Sequence, residues 1–358
     1  MKDNRYIKQE KLRDFGAEAQ QRLKDASVLV VGLGGLGIPV LQYLNAMGVG
    51  RLGLMDQDQV DLSNLQRQVL YDEADIGAAK LEVCAEKLRR QNSDTIIDRH
   101  DAYLSRNNAL EVIAPYDLVI DASDNFPTRY LINDACVILN KPFIYGALHG
   151  FEGQVSVFNF QGGPTYRCLF PEIPGATEVP SCDENGVLGV LPGIIGNFQA
   201  LEAVKVITGK GSVLAGQLLI YNGLNPVIHK ITFALKAENT EVKALQESYK
   251  VPSCASDQDI NAHELASLLN SGRPCTIIDV RSDEEYHEDH LMDVVHIPLD
   301  RLATEPLKLT SDEEVYLICQ SGVRSLQAKY LLQRQYPKIS FFNVRGGLNS
   351  IRSGKVII

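Results

Sequence analysis

Between Ser27 and about Gly223 short apolar runs alternate with amphipathic stretches. Ser27 to Val31 (SVLVV), Arg51 to Met55 (RLGLM), Tyr116 to Asp121 (YDLVID) and Lys141 to Tyr145 (KPFIY) each read as a buried parallel strand ending near a polar residue. Gln154 to Phe158 (QVSVF) alternates and begins a more antiparallel region. From Gly193 to Thr208 the apolar residues recur at helical spacing, and Gly209 is a helix stop. Strands alternating with helices predict right-handed crossovers and an open, mostly parallel sheet whose ligands sit beyond the carboxyl ends of the strands. The stretch from Lys236 is polar and charge-rich and reads as a linker, 236–256. The pattern then restarts with a helix (NAHELASLL), strands at CTIIDV, VVHIP and EVYLICQ, and a further helix opening at Ser325 (SLQAKYLLQRQ). The organisation is therefore a first α/β domain over 1–235, the linker, and a second small α/β domain over 257–358.

Composition narrows the picture. At roughly 100–200 residues per domain, 358 residues suit two or three domains, and 45% hydrophobic with 22% charged residues is ordinary for a globular chain. Apolar runs are short and interrupted, which predicts no membrane-spanning helix. The N-terminus, MKDNRYIKQEKLRDFG, lacks the apolar core of a secretory leader, so a cytoplasmic location is expected. A net charge of −10 argues against a broad basic face for nucleic acid. Seven scattered cysteines suit reactive thiols better than a disulfide framework.

The string VVGLGGLG sets Gly32, Gly34, Gly35 and Gly37 between a strand and a helix. Glycines let backbone approach a phosphate, and the helix N-terminus supplies amide donors and positive potential. Asp56, at the end of the next strand, stands where an acid holds a ribose. These residues alone leave NAD and ATP both open. The continuation DQDQVDLSNLQRQVLYDEADIGAAK is different. It adds Asn64, Arg67, Gln68 and Lys80, and the two cations can neutralise a triphosphate. In Ser123–Asp124–Asn125, Asp124 falls just beyond a strand end, where a carboxylate suits Mg²⁺ bridging phosphates.

The segments RYIKQEKLRDFG, VLVVGLGGLG, DQDQVDLSNLQRQ, DASDNFPTRY, GQVSVF and GVLGVLPGIIGNFQALEAVK span residues 5 to about 205. Together they resemble the MoeB/ThiF family, prokaryotic relatives of ubiquitin-activating enzymes with a Rossmann-like sheet. The resemblance implies ATP with Mg²⁺, a homodimer, and as substrate a small ubiquitin-like sulfur carrier of the MoaD or ThiS kind ending in Gly-Gly. It places Asp56 on the ribose, Gly34, Gly35 and Gly37 in the nucleotide turn, and Arg67, Lys80, Asn64 and Gln68 about the phosphates. Asp124 would serve the metal. The implied reaction is attack of the carrier's terminal carboxylate on the α-phosphate, giving an acyl-adenylate and pyrophosphate. The family's N-terminal arginine, which reaches ATP from the partner subunit, is matched here by Lys8, which keeps the charge but loses the bidentate fork. The family's zinc pairs of cysteines are broken: Thr165, Tyr166, Arg167 and Cys168 hold one cysteine, and no second pair follows Ile231, so no zinc is expected. Cys182 matches the position of a reactive cysteine in some members, although the neighbouring Asp183 and Glu184 work against a thiolate there.

In EVYLICQSGVRS, Cys319 ends a strand and Gln320, Ser321, Gly322, Val323 and Arg324 form the loop that follows. Amides of such a loop can converge on one sulfur, with a helix N-terminus and the Arg324 cation adding positive potential. Residues 257–351 resemble the rhodanese family, through IIDVRSDEEYHEDHLMDVVHIPLDRL and NVRGGLNSI. The usual Gly-His is Asp289-His290 here, and the late tryptophan is Ile351. The resemblance implies sulfane sulfur on Cys319. Asp279 and Arg281 read as a pair within the fold, and His287, His290 and His296 as structural or solvated.

The fusion suggests one scheme: adenylation of a carrier, then attack by a Cys319 persulfide, directly or relayed through Cys182, to give a thiocarboxylate. The sulfur donor would be a protein such as a cysteine desulfurase. The molybdopterin carrier is favoured, with thiamin and tRNA-thiolation carriers, or a peptide, as alternatives. A non-catalytic carrier-docking module and a dehydrogenase are weaker readings, because the set Asp56, Arg67, Lys80 and Asp124 is intact and no hydride-transfer residues can be placed.

Overall fold

The structure is a computed structural model that describes residues 5–174, 186–225, 227–249, 259–270, 275–302, 307 and 314–353. The chain forms two compact units, the first of 1–173 with 180–250 and the second of 251–358 with 174–179.

The first unit is built on β1 (Ser27–Val31), β2 (Arg51–Met55), β3 (Ile96–His100), β4 (Leu118–Asp121), β5 (Phe143–His149), β6 (Glu152–Phe158), β7 (Gln217–Asn222) and β8 (Val227–Thr232). The sheet order is β3-β2-β1-β4-β5-β6-β7-β8. The first five strands are parallel and the last three extend the sheet antiparallel. Strand β1 shows why the pattern was so apolar. Val28 and Val30 enter the core on one face of the sheet while Leu29 and Val31 enter the core on the other, so both sides of the strand are covered.

The helices Gly37–Met47 and Val190–Thr208 pack into the first core through Ile38, Leu41, Leu44, Leu191, Ile195 and Ala203. The latter helix stops at Gly209, which is left-handed at φ +71° and donates to the Lys205 carbonyl. It is long and apolar enough to cross a membrane, but Gln199 and Glu202 are buried on it among the core residues. The helix Phe126–Ile138 covers the other face through Tyr130, Ile132 and Ala135.

Three strands of this unit were not evident from the pattern, β3 at one edge and the β7–β8 hairpin at the other. The edge strands β3 and β8 have little to bury: β8 is exposed along its whole length, and in β3 only Ile97 is buried, while β7, between β8 and the rest of the sheet, buries only Leu218 and Leu219. The polar stretch from 236 to 249 packs back onto the first unit. Tyr249 is buried and its hydroxyl donates to Asp134 Oδ2 at 2.9 Å.

The second unit has β9 (Thr276–Asp279), β10 (Val295–His296), β11 (Glu314–Ile318) and β12 (Ser340–Asn343), all parallel, in the order β10-β9-β11-β12. One face carries Ile278, Val315, Leu317, Phe341 and Leu332; the other carries Ile277, Tyr316, Ile318, Leu265 and Leu348. The helix after β11 spans Val323–Gln335 and so opens two residues earlier than expected. Gly322, left-handed at φ +91°, makes the turn into it.

Candidate functional site

In the first unit a cavity of about 920 Å³ opens beyond the carboxyl ends of β1, β2 and β4, where the sheet order reverses. Gly34, Gly35, Asp56, Asn64, Arg67, Gln68, Lys80 and Asp124 all line it. Gly37 does not. A Cβ at Gly37 would stand 1.9 Å from the Gly32 carbonyl oxygen, so this glycine serves the close approach of helix to strand. Gly34 is the permissive one: a Cβ there would meet only Gln68 Nε2, at 3.7 Å.

Asp56 follows β2 and is nearly buried. Its two oxygens accept backbone N–H groups from Leu33 at 2.7 Å and Asp58 at 2.8 Å, which aims the carboxylate into the turn. Each oxygen keeps a second lone pair for a further donor. Lys80 opens the helix Lys80–Gln91 and is buried; its ammonium reaches Asp58 Oδ2 at 3.0 Å. Tyr103 donates to the other oxygen of Asp58 at 2.5 Å. Burial works to raise the Asp58 carboxyl, but the bonds from Tyr103 and Lys80 and the lysine charge outweigh it and hold it below the usual range. Arg67 donates to the Ser63 carbonyl at 2.9 Å, and Gln68 is buried with an Oε1 that has no partner among the described residues.

Asp124 is exposed in the loop after β4, and its Oδ1 accepts from Asn125 at 3.3 Å. Asn125 caps the next helix by accepting from Thr128 N at 2.9 Å. One turn on, Arg129 is buried over the Phe126 and Tyr145 rings, both at 5.3 Å, and donates to the Ser123 carbonyl at 3.2 Å. Beneath the loop, burial pushes the Asp121 carboxyl up, with the Arg129 charge acting against it. Sequence reasoning missed Asp58, Tyr103, Asp121 and Arg129. The Asp-x-Asp spacing of residues 56 and 58, and the placing of Arg129 four residues beyond the cap, were the available signals.

Lys8 lies exposed on the short helix Ile7–Glu10 and does not line its own chain's cavity. Cys182 lies outside the described residues. Cys84 and Cys136 are buried among apolar groups, and burial pushes both thiols up. Cys168 is also buried, and its sulfur accepts from Thr165 N at 3.4 Å and Lys236 N at 3.3 Å.

In the second unit Cys319 follows β11 and is fully buried. Its sulfur accepts from Gly322 N at 3.1 Å and lies 3.3 Å from Ser325 Oγ. Gly347 lets the chain pass: a Cβ there would stand 2.1 Å from the Cys319 carbonyl oxygen. The expected loop is shorter than the sequence suggested. Gln320, Ser321 and Gly322 form it, while Val323 and Arg324 are already helical. Arg324 is bidentate to Glu285 at 2.6 and 2.7 Å, and holds that carboxyl down at about 2, so much of its charge is offset locally. Asp279 and Arg281 form a buried fork at 2.7 to 3.1 Å, from which Arg281 reaches Gln320 Oε1 at 3.3 Å. His296 and His290 stack on either side of Tyr286, at 4.0 and 4.1 Å, and each turns a ring nitrogen to a backbone carbonyl; His287 does the same.

Comparison with known proteins follows this division. Residues 6–243 match the ThiF family, and residues 261–353 match the rhodanese-like domain. A "Sulfur carrier protein adenylyltransferase" of Thermus thermophilus is 52% identical, over 64% of this chain and 86% of its own length. A "Probable molybdopterin-synthase adenylyltransferase" of Porphyra purpurea is 41% identical over 97% of this chain and 92% of its own. An "Adenylyltransferase and sulfurtransferase MOCS3" of Drosophila ananassae is 38% identical over 97% and 82%. Among solved structures, E. coli MccB with MccA-N7isoASN superposes with a TM-score of 0.59 at 23% identity, over 66% of this chain and 73% of that one, a likeness of fold.

Proposed function

This chain belongs to the ThiF family and carries a rhodanese-like domain behind it, as an ATP-using adenylyltransferase and sulfurtransferase, and from that premise we propose how its residues divide the work. The substrate is a small ubiquitin-like sulfur carrier ending in Gly-Gly, with the molybdopterin carrier favoured. The observation that supports this most is the single cavity that gathers Gly34, Asp56, Arg67, Lys80 and Asp124.

Asp56 holds the ribose, and the Gly34–Gly35 turn presents amides to the phosphates. Arg67 and Lys80 offset the repulsion between ATP and the incoming carboxylate. The carboxylate attacks the α-phosphate and pyrophosphate leaves, giving the acyl-adenylate. Mg²⁺ suits this site, because an exposed Asp124 supplies one carboxylate and such an ion takes its remaining ligands from phosphates and water. A Mg²⁺ ion there would be held by Asp124 and would offset charge on the leaving pyrophosphate. Lys8 reaches ATP from the partner in a homodimer.

Cys319 carries the sulfur, delivered by a donor such as a cysteine desulfurase. Its persulfide attacks the acyl carbon and AMP leaves. A second thiol, for which Cys182 is the candidate, then attacks the Cys319 sulfur of the acyl disulfide: a Cys182–Cys319 disulfide forms, the thiocarboxylate leaves with the electron pair, and an external thiol reductant restores both cysteines.

The test is ATP–pyrophosphate exchange with a panel of purified carriers, each alone. Exchange with one carrier, lost in Asp124→Ala, is expected. No exchange with any of them, from folded protein that binds ATP, would sink the carrier assignment.

A further inference from the structure

Behind Cys319 runs a line of buried polar side chains that leads away from the loop. Ser325 Oγ lies 3.3 Å from the sulfur and 2.7 Å from Asn343 Oδ1. Asn343 Nδ2 approaches Asp259 Oδ2 at 3.5 Å, and Asp259 Oδ1 accepts from the Lys329 ammonium at 2.7 Å. Every side chain in the line is more than nine-tenths buried. Ser325 and Lys329 share a helix face at i, i+4; Asn343 ends β12; and Asp259 precedes the bridge of Ile260 with Val344. A buried network of this kind is held only if each member is satisfied.

A serine hydroxyl has one proton and cannot donate to both of its neighbours. A protonated thiol can itself donate to Oγ, leaving the hydroxyl proton for Asn343. A thiolate or persulfide anion has no proton, and needs the hydroxyl proton turned towards it. Asn343 Oδ1 keeps the hydroxyl within 3.3 Å of the sulfur, and the amide is itself fixed by its Nδ2–H bond to Asp259 Oδ2, so Oγ stays in reach of the sulfur when its proton turns.

We infer that Ser325 and Asn343 are positioning residues for sulfur transfer: a hydroxyl whose proton follows the charge on Cys319, backed by an amide anchored to the Asp259–Lys329 pair. The inference rests on the reading of Cys319 as the sulfur carrier. Other charged groups packed around the loop, Asp279 with Arg281 and Glu285 with Arg324, are paired with each other.

The experiment uses the full chain with thiosulfate as donor and cyanide as acceptor. The Cys319 thiolate attacks the outer sulfur of thiosulfate, the S–S bond breaks, and sulfite leaves with the electron pair. Cyanide takes the outer sulfur as thiocyanate and restores the thiolate. Ser325→Ala should slow sulfur loading about tenfold at neutral pH, the scale of one hydrogen bond to a charged group. It should also move the rising limb of the pH–rate profile to higher pH, and Ser325→Thr should restore both. Asn343→Ala should cost rate in the parent chain but add little in the Ser325→Ala background. A Ser325→Ala profile that superimposes on the parent's, or an Asn343→Ala cost undiminished in that background, overturns the inference alone. Thiocyanate formation that survives Cys319→Ala, or a parent chain that loads no sulfur on Cys319 by intact mass, overturns the reading beneath it as well.

Discussion

Gly34 and Gly37 sit in one glycine string and do different jobs. At Gly37 an added methyl would collide with backbone, the Gly32 carbonyl, that has nowhere to go. Gly37→Ala should therefore lower the stability of the first unit by about 3 kcal/mol, the upper range for overpacking, as read from its melting transition. Gly34→Ala meets only the end of a flexible glutamine and should leave that transition in place while weakening ATP binding, measured by calorimetry. Equal melting losses in the two variants would contradict this division. The glycine string suggested a phosphate turn, but which glycine faces the cavity and which faces backbone is a matter of distances. The same holds for Lys80. Its charge was legible, whereas its anchor, Asp58 braced by Tyr103, depends on a loop 45 residues further along the chain.

Among elements, burial on two faces explains much of what was legible but not all of it: β12, with Phe341 and Phe342 turned to opposite cores, was missed, while the largely exposed β10 was found. β1 and β2 were found at their full length, because their residues enter cores on both sides. β3 was not, because Asp98 and Arg99 interrupt it and Asp98 instead accepts from Arg51 at 2.6 Å. The stretch from 236 to 249 looked like a tether because it is polar, yet Tyr249 docks it. Asp134 takes the Tyr249 hydroxyl and the Arg167 fork at 2.7 and 2.9 Å, so one buried carboxylate joins the helix Phe126–Ile138, the turn at Arg167 and this stretch. Tyr249→Ala should lower the first transition by about 3 kcal/mol, by analogy with other buried aromatics. Heating the full chain tests this, and an unmoved transition would mean that the stretch is not held by this residue. The start of the helix after Cys319 was misplaced by two residues, because Gly322 turns directly into it.

At the scale of the whole molecule, two compact units each carry one chemistry, which makes the steps separable by mutation. Cys319→Ala should leave carrier-dependent ATP–pyrophosphate exchange near the parent rate and abolish thiocarboxylate on the carrier, followed by mass spectrometry. Loss of exchange in that variant would show that the units are coupled in the first step. By itself the sequence determined the two α/β units, the glycine turn between strand and helix with Asp56 after the next strand, the cations Arg67 and Lys80 at fixed offsets, and the cysteine at a strand end. Period, glycine spacing and charge at fixed offsets are local properties, and a chain carries them wherever it folds. Only the tertiary structure decided that Gly37 packs while Gly34 lines the cavity, that Arg324 is engaged by Glu285, and that Cys319 is backed by Ser325, Asn343 and a buried ion pair. The bonds Arg324–Glu285, Ser325–Asn343 and Asn343–Asp259 join residues 39, 18 and 84 positions apart, and hydrogen bonding and burial at such separations follow from packing, which local pattern does not encode.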